Sequence, residues 1–194
     1  LKTLKDFSKS TDVHIGPISI GMHFNPYGES LVSNKKKIRL EMADSDPRHD
    51  QLFSLTWTLA IFIQSINKES KFFTFNSLYG HHGILNKDNS KRPLYHLNNF
   101  LISLSNSEIF KFNPINEVYG LKIVLNDKKH YLFVNSSKQT KEINVPKLDF
   151  SYQYKLNLKN YTDIFNNDFS FFNFKKDSNP YAFEPLEIKF IEDK

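Results

Sequence analysis

The densest concentration of groups able to do chemistry is Tyr79-Gly80-His81-His82-Gly83, two imidazoles set between glycines. Imidazole changes charge near neutral pH, so it can take up or give back a proton during a reaction. Glycines on either side lack a Cβ and allow a ligand or another backbone segment to come close. Adjacent residues point in different directions, so at most one of His81 and His82 faces a common pocket. Asn76 and Tyr79 stand just before the pair, and His23 and Asn25 close an apolar run far upstream. Histidines and neutral donors together suit hydrolysis at a carbonyl, which must be polarised while water is activated and the oxyanion held. The candidates are therefore His81 and His82 as catalytic groups, with His23, Asn25, Asn76 and Tyr79 as substrate contacts. A metal centre on the histidine pair would need a third ligand such as His23; no metal and no cofactor are expected. Four other residues read as structural. His49 falls in the first turn of a helix as a capping, surface residue, and His96 lies beside a helical apolar stripe. Trp57 sits mid-helix in an apolar run and reads as core. Arg48 has a functional alternative, gripping a carboxylate or hydroxyl of a substrate.

These residues need elements to position them. Val13–Met22 is an apolar, β-branched run containing Gly16 and Pro17, the pattern of a strand buried on both sides. Asn25-Pro26-Tyr27-Gly28 opens a polar loop to about Ser45, long enough to be functional or a lid. Asp46 can cap a helix that Pro47 begins and that runs to about Ile66. Its apolar residues cover more than one face, which predicts a helix held between two layers. Lys71–Asn76 reads as a short aromatic strand, Ser77–Arg92 as a loop, and Pro93 opens a second helix. Leu94, Leu97, Phe100, Leu101 and Leu104 make one stripe along that helix. The order is thus two βα units, each with a long loop after its strand, where α/β folds place their chemistry.

From about Glu117 the pattern changes to short alternating strands, Val118–Leu125, Tyr131–Asn135 and Glu142–Val145, with a turn at Asn126-Asp127-Lys128-Lys129. Closely spaced aromatics follow, including Phe150, Tyr152, Tyr154 and the group from Phe165 to Phe174. Pro180–Ile191 ends in another alternating strand, so this half reads as an antiparallel β-sandwich. The aromatics of this half read as core, although Tyr152 and Tyr154 fall on one face of their strand, as a glycan-binding platform would require. The border falls between Ser105 and Asn116, giving a barrel-type part over 1–110 and a sandwich over 111–194.

This order of elements resembles the last two βα units of a glycosidase-type (β/α)8 barrel followed by its C-terminal β-sandwich. Within that superfamily it is most similar to the D-apionate lactonase family. The resemblance is carried by HIGPISIGMHFNP (His14–Pro26), DPRHDQLFSLTWTLA (Asp46–Ala60), the G-x-x-G of Gly80–Gly83 and RPLYHLNNF (Arg92–Phe100), with PYAFEPLEIKFI (Pro180–Ile191) as the closing sandwich strand. It implies a hydrolase that opens the lactone of a branched sugar acid, D-apionolactone to D-apionate, and a cytoplasmic place. The strands would be the seventh and eighth of the barrel, and the chain a piece of a longer protein, inactive alone because two units leave a bare sheet edge. Two alternatives stay open: a glycoside hydrolase acting on uronic-acid or related glycans, and a sandwich that binds glycan without catalysis. A retaining glycosidase of this type needs a carboxylate ending its seventh strand. Ile15–Asn25 has none, the nearest being Asp12 and Glu29.

Composition narrows the classes further. With 194 residues, 39% of them hydrophobic, the chain has enough apolar material for a packed core. It has no Cys, which removes disulfide scaffolds, Cys-ligated zinc and thiol nucleophiles. The net charge of +5 comes almost entirely from lysine, since Arg occurs only at positions 39, 48 and 92. Lys35-Lys36-Lys37 is the one tight basic run and reads as a solvated loop, so no nucleic-acid partner is expected. No apolar run reaches the roughly 20 residues of a membrane-spanning helix, and no membrane partner is expected. The partner is a small sugar-acid lactone or a glycan; the oligomeric state is not legible.

Overall fold

Val13–Ile18 (β1) and Ser70–Phe75 (β2) lie side by side in parallel, with Ile15 opposite Phe73 and Ile18 opposite Phe75. They belong to a computed structural model that describes residues 13–21, 30–66, 70–144, 150–162, 175–176, 179 and 181–193. A parallel pair needs a crossover between its strands, and the helix Leu52–Ser65 (α1) supplies it. Phe62 of α1 packs edge-on against Phe73 and Phe75. The expectation that β1 is buried on both sides does not hold: His14, Gly16 and Pro17 are exposed. Among the described residues β1 has a single neighbouring strand.

The helix expected from Pro47 is divided. Pro47–Asp50 forms one 3-10 turn, and Gln51 then takes extended backbone before α1 begins. Asp46 caps the turn by accepting a hydrogen bond from the Arg48 amide. Leu52, Leu55, Leu59 and Ile63 are fully buried on one side of α1, and Ser54, Thr56 and Thr58 are buried elsewhere around it. The helix touches β2 and the second helix and also packs on the antiparallel sheet described below, as its several apolar faces predict. Trp57 is only half-buried, so it is not a core residue. Ser77–Tyr79 (β3) and Gly83–Leu85 (β4) form a short parallel pair inside the expected loop. Pro93–Ser103 (α2) then buries Leu94, Leu97 and Phe100.

The second half is built on one antiparallel sheet. Its strands, Glu108–Lys111 (β5), Val118–Leu125 (β6), Lys128–Asn135 (β7), Phe150–Leu156 (β9), Lys175–Lys176 (β10) and Glu187–Asp193 (β12), lie in the order β10-β9-β12-β7-β6-β5. Asn126 and Asp127 both adopt positive φ, so β6 and β7 join through a two-residue turn whose twist suits a hairpin. Lys128 and Lys129 belong to β7 and not to the turn. One face of the sheet carries Leu121, Ile123, Leu132, Val134, Leu156, Ile188 and Phe190 into a single core with the leucines of α1 and α2. Each such side chain contributes about 1.5–3 kcal/mol relative to exposure. The other face carries Val118, Phe133 and Ile191 against Ile143 and Phe183. Phe183 belongs to a small ribbon made by Lys141–Glu142 (β8) and Ala182–Phe183 (β11).

Tyr154 packs against the helix-side core, as the core reading of these aromatics expects, and is no exposed platform. The alternation in β12 does not separate a buried from a solvated face, because Glu187 and Lys189 are each only 1% exposed. That strand lies between β7 and β9, and Asn179, Ala182 and Glu184 hydrogen-bond to Lys189 and Glu187 on its second face.

Candidate functional site

The site is built where the chain leaves β1 and β2 at the same end. Asn76, the first residue beyond β2, has φ of 62°, and its amide donates to the carbonyl of Ile18 at 2.9 Å. Asn tolerates this left-handed conformation better than most residues. Its side chain is 7% exposed, and among the described residues neither Oδ1 nor Nδ2 has a hydrogen-bond partner.

Beyond Asn76 the chain folds back on itself. The Ser77 amide donates to His82 O at 3.1 Å, and the Gly83 amide donates to Gly80 O at 3.1 Å, placing His81 and His82 at the tip of a tight turn. Gly80 takes a positive φ of 91°. A Cβ on Gly83 would sit 2.4 Å from the Tyr79 carbonyl carbon, so both flanking glycines are required, for different reasons.

The two histidines diverge, as neighbours must, yet both meet the loop that follows β1. His82 Nδ1 lies 3.2 Å from the carbonyl of Ile20. A carbonyl only accepts, so Nδ1 carries the proton and Nε2 is the basic nitrogen of the neutral ring. A side chain on Gly21 would begin 2.9 Å from the His82 ring. His81 is half-exposed, with Nε2 3.5 Å from Asp44 Oδ2. Asp44 is fixed in turn: its amide donates to Val32 O, and its Oδ1 accepts from the Asn34 amide at 2.9 Å. Asn34 is buried and donates through Nδ2 to Ile38 O and Ser45 O, tying the long loop into a defined shape.

A second layer supports the turn. His49, expected on the surface, is 1% exposed, and its Nε2 donates to Gly83 O at 2.9 Å. Burial pulls its pKa below the ordinary histidine value, and the hydrogen bond to Gly83 opposes this in part. Arg92 is buried beside it, donating from Nε to Asn86 Oδ1 at 2.8 Å and from a terminal nitrogen to His81 O at 3.3 Å. Arg92 also lies 3.3 Å from Asp50, which pairs with Lys37 at 3.1 Å.

Several expected contributors fall elsewhere. Arg48 forks onto Asp46 with contacts of 2.9 and 2.6 Å and lies over the Phe53 ring, so it is engaged within the protein. That pairing holds the Asp46 carboxyl below its ordinary range. Tyr79 is 52% exposed on β3, and His96 stacks edge-on against Tyr95. His23 and Asn25 lie outside the described residues, as do Asp12, Glu29, Val145 and the aromatics from Phe165 to Phe174. Sequence reasoning missed Asp44, Arg92 and the burial of His49. Among the described residues no group of three or more His, Asp or Glu side chains is placed to hold a metal ion.

A parallel βαβ pair with its polar side chains gathered beyond the strands is the arrangement by which α/β folds build their sites. Residues 1–106 match the family described as D-apionate lactonase, TIM barrel domain, and the chain belongs to the D-apionate lactonase family. A D-apionate lactonase of Brucella anthropi is 34% identical over 87 residues, covering 42% of this chain and 14% of the relative. The chain therefore spans about one seventh of that relative's length. Among solved structures, a GH30 endoxylanase from Clostridium papyrosolvens is similar with a TM-score of 0.47 and 8% identity, over 75% of this chain and 39% of that one. A family 30 subfamily 8 xylanase from Clostridium acetobutylicum has a TM-score of 0.46 and 13% identity, over 75% and 40%. Among the described residues no helix is long and apolar enough to cross a membrane.

Proposed function

We propose that this chain forms one wall of the active site of a lactone hydrolase that opens D-apionolactone to D-apionate. Family membership supports the reaction class, and the observation that carries the local assignment is the approach of His81 to Asp44 beside His82 and Asn76. In this reading Asp44 orients the His81 ring, which draws a proton from water as that water attacks the lactone carbonyl. Catalytic contacts of this kind are commonly longer before substrate binds. The carbonyl carbon becomes tetrahedral, its oxygen is stabilised by nearby neutral donors, and the proton returns to the departing ring oxygen. His82 is the second catalytic group, and His23, Asn25, Asn76 and Tyr79 contact the substrate. The barrel-type part, 1–110, carries this wall and the sheet-rich part, 111–194, buttresses it. The two βα units take the seventh and eighth places of a barrel completed by other parts of the whole protein.

The test is turnover of D-apionolactone by the complete protein carrying His81→Ala or His82→Ala. Each substitution lowers kcat by about 100-fold or more, the contribution expected of a positioned acid or base. Unchanged turnover in both variants removes the assignment. One observation favours a second reading, a glycan-binding surface on the sheet-rich half. Phe112 lies parallel to Tyr131 and Phe133 at 6.3 and 5.9 Å, lining a groove of about 420 Å³. Saturable oligosaccharide binding that Phe112→Ala abolishes would support it.

A further inference from the structure

The Asn76 carboxamide is buried, sits at the carboxyl end of β2, and among the described residues leaves a donor and an acceptor both unsatisfied. Buried polar groups are nearly always paired, and each exception costs about 1–3 kcal/mol. The backbone around Asn76 does not account for the exception. Its own amide is already spent on Ile18 O, and the Ser77 amide is spent on His82 O, so the turn closes without the side chain. What remains is a planar group offering N–H and C=O side by side, next to the turn that carries His81 and His82.

The chemistry of that pair restricts what can satisfy it. A carboxylate or phosphate only accepts and would leave Oδ1 unpaired. An ammonium only donates and would leave Nδ2 unpaired. A hydroxyl both donates and accepts, and two adjacent hydroxyls can engage both carboxamide atoms at once. We infer that Asn76 is the hydroxyl-recognition residue of this site, selecting polyhydroxylated substrates through a vicinal hydroxyl pair. This rests on the lactonase reading for the identity of the reaction, but the selectivity itself can be tested apart from it.

The experiment compares the complete protein with Asn76→Gly and Asn76→Asp. Glycine accepts the positive φ and removes the carboxamide without the strain that Ala would bring. Aspartate keeps the shape and replaces the donor by a second acceptor. The readout is the ratio of kcat/KM for 2,3-dihydroxy-γ-butyrolactone to that for unsubstituted γ-butyrolactone. The ratio should fall about 10–100-fold in both variants, the worth of one lost donor–acceptor pair. Asn76→Gly should also melt within a degree or two of the parent or above it, because an unpaired buried group has been removed. An unchanged ratio overturns the inference. So does a Tm drop of several degrees in Asn76→Gly, which would mean that the carboxamide is satisfied within the protein. Should neither lactone be hydrolysed, the reaction reading fails, and calorimetric titration with erythritol decides the residue's role alone. Binding by the parent that weakens at least 10-fold in Asn76→Gly sustains the inference, and no binding by the parent overturns it.

Discussion

Lys189→Met tests the buried polar arrangement under the antiparallel sheet. Lys189 and Glu187 project from the same face of β12, each 1% exposed, with Lys189 Nζ 3.8 Å from Glu187 Oε2. Lys189 Nζ donates to Asn179 O at 2.5 Å and Ala182 O at 2.6 Å and lies 4.9 Å over the Phe183 ring. Glu187 accepts from the Glu184 amide at 2.9 Å and from Asn157 Nδ2 at 3.2 Å. Together these contacts tie Asn179, Ala182 and Glu184 to β12. Methionine fills most of the lysine stem's volume but removes the charge and leaves a buried carboxylate uncompensated, which costs about 3–5 kcal/mol. In a protein of this size that corresponds to a fall in Tm of about 6–20 °C. Burial already raises the Glu187 pKa, and Lys189 is the chief group opposing the rise. The variant should therefore be most destabilised at neutral pH and recover as pH falls toward the carboxylate range, where Glu187 gains its proton. Glu187→Gln in the same chain should restore most of the loss at pH 7. Urea unfolding followed by circular dichroism at pH 7 and pH 5 is the assay. A loss below about 1 kcal/mol at pH 7, or no recovery with Glu187→Gln, would refute the reasoning.

Three further outcomes are expected. His49→Phe leaves the Gly83 carbonyl without its donor, lowering stability by about 1–3 kcal/mol in urea unfolding and raising hydrogen exchange at the Gly83 amide. His49 and His130 both have pKa values pulled down, chiefly by burial. The unfolded chain then binds more protons below the ordinary histidine pKa, so stability falls as pH drops from 7 to 5; His49→Gln should make that fall shallower in the same assay. Asp44→Asn keeps the fold but removes the carboxylate that faces His81, so kcat on D-apionolactone should drop about 10-fold or more in the turnover assay.

Much of the first half was legible because local pattern and tertiary role coincide there. The aromatic run of β2, the Asp46-Pro47 start, and the apolar residues on several faces of α1 each mark an element through neighbours close in sequence. The Asn126-Asp127 turn was legible for the same reason. What could not be read depends on partners far along the chain. His49 is buried by Gly83, 34 residues away, and Asp44 meets His81 across two loops. No local pattern marks either contact. The E-I-K-F-I sequence of β12 looks half-solvated because alternating charge usually means an exposed face. Here the charged residues face Asn179, Ala182, Glu184 and one another. Arg48 was legible as a fork for an acid group, but its acid is Asp46, two residues before it.

The measurement that bears most directly on the account is ring opening of D-apionolactone by the complete protein, followed as acid release in a pH-stat beside a xylan-hydrolysis assay. The account predicts acid release well above the spontaneous rate, lost in both His81→Ala and His82→Ala, with no reducing sugar released from xylan. Reducing-sugar release with no lactone opening above background would contradict it and place the chemistry with glycoside cleavage.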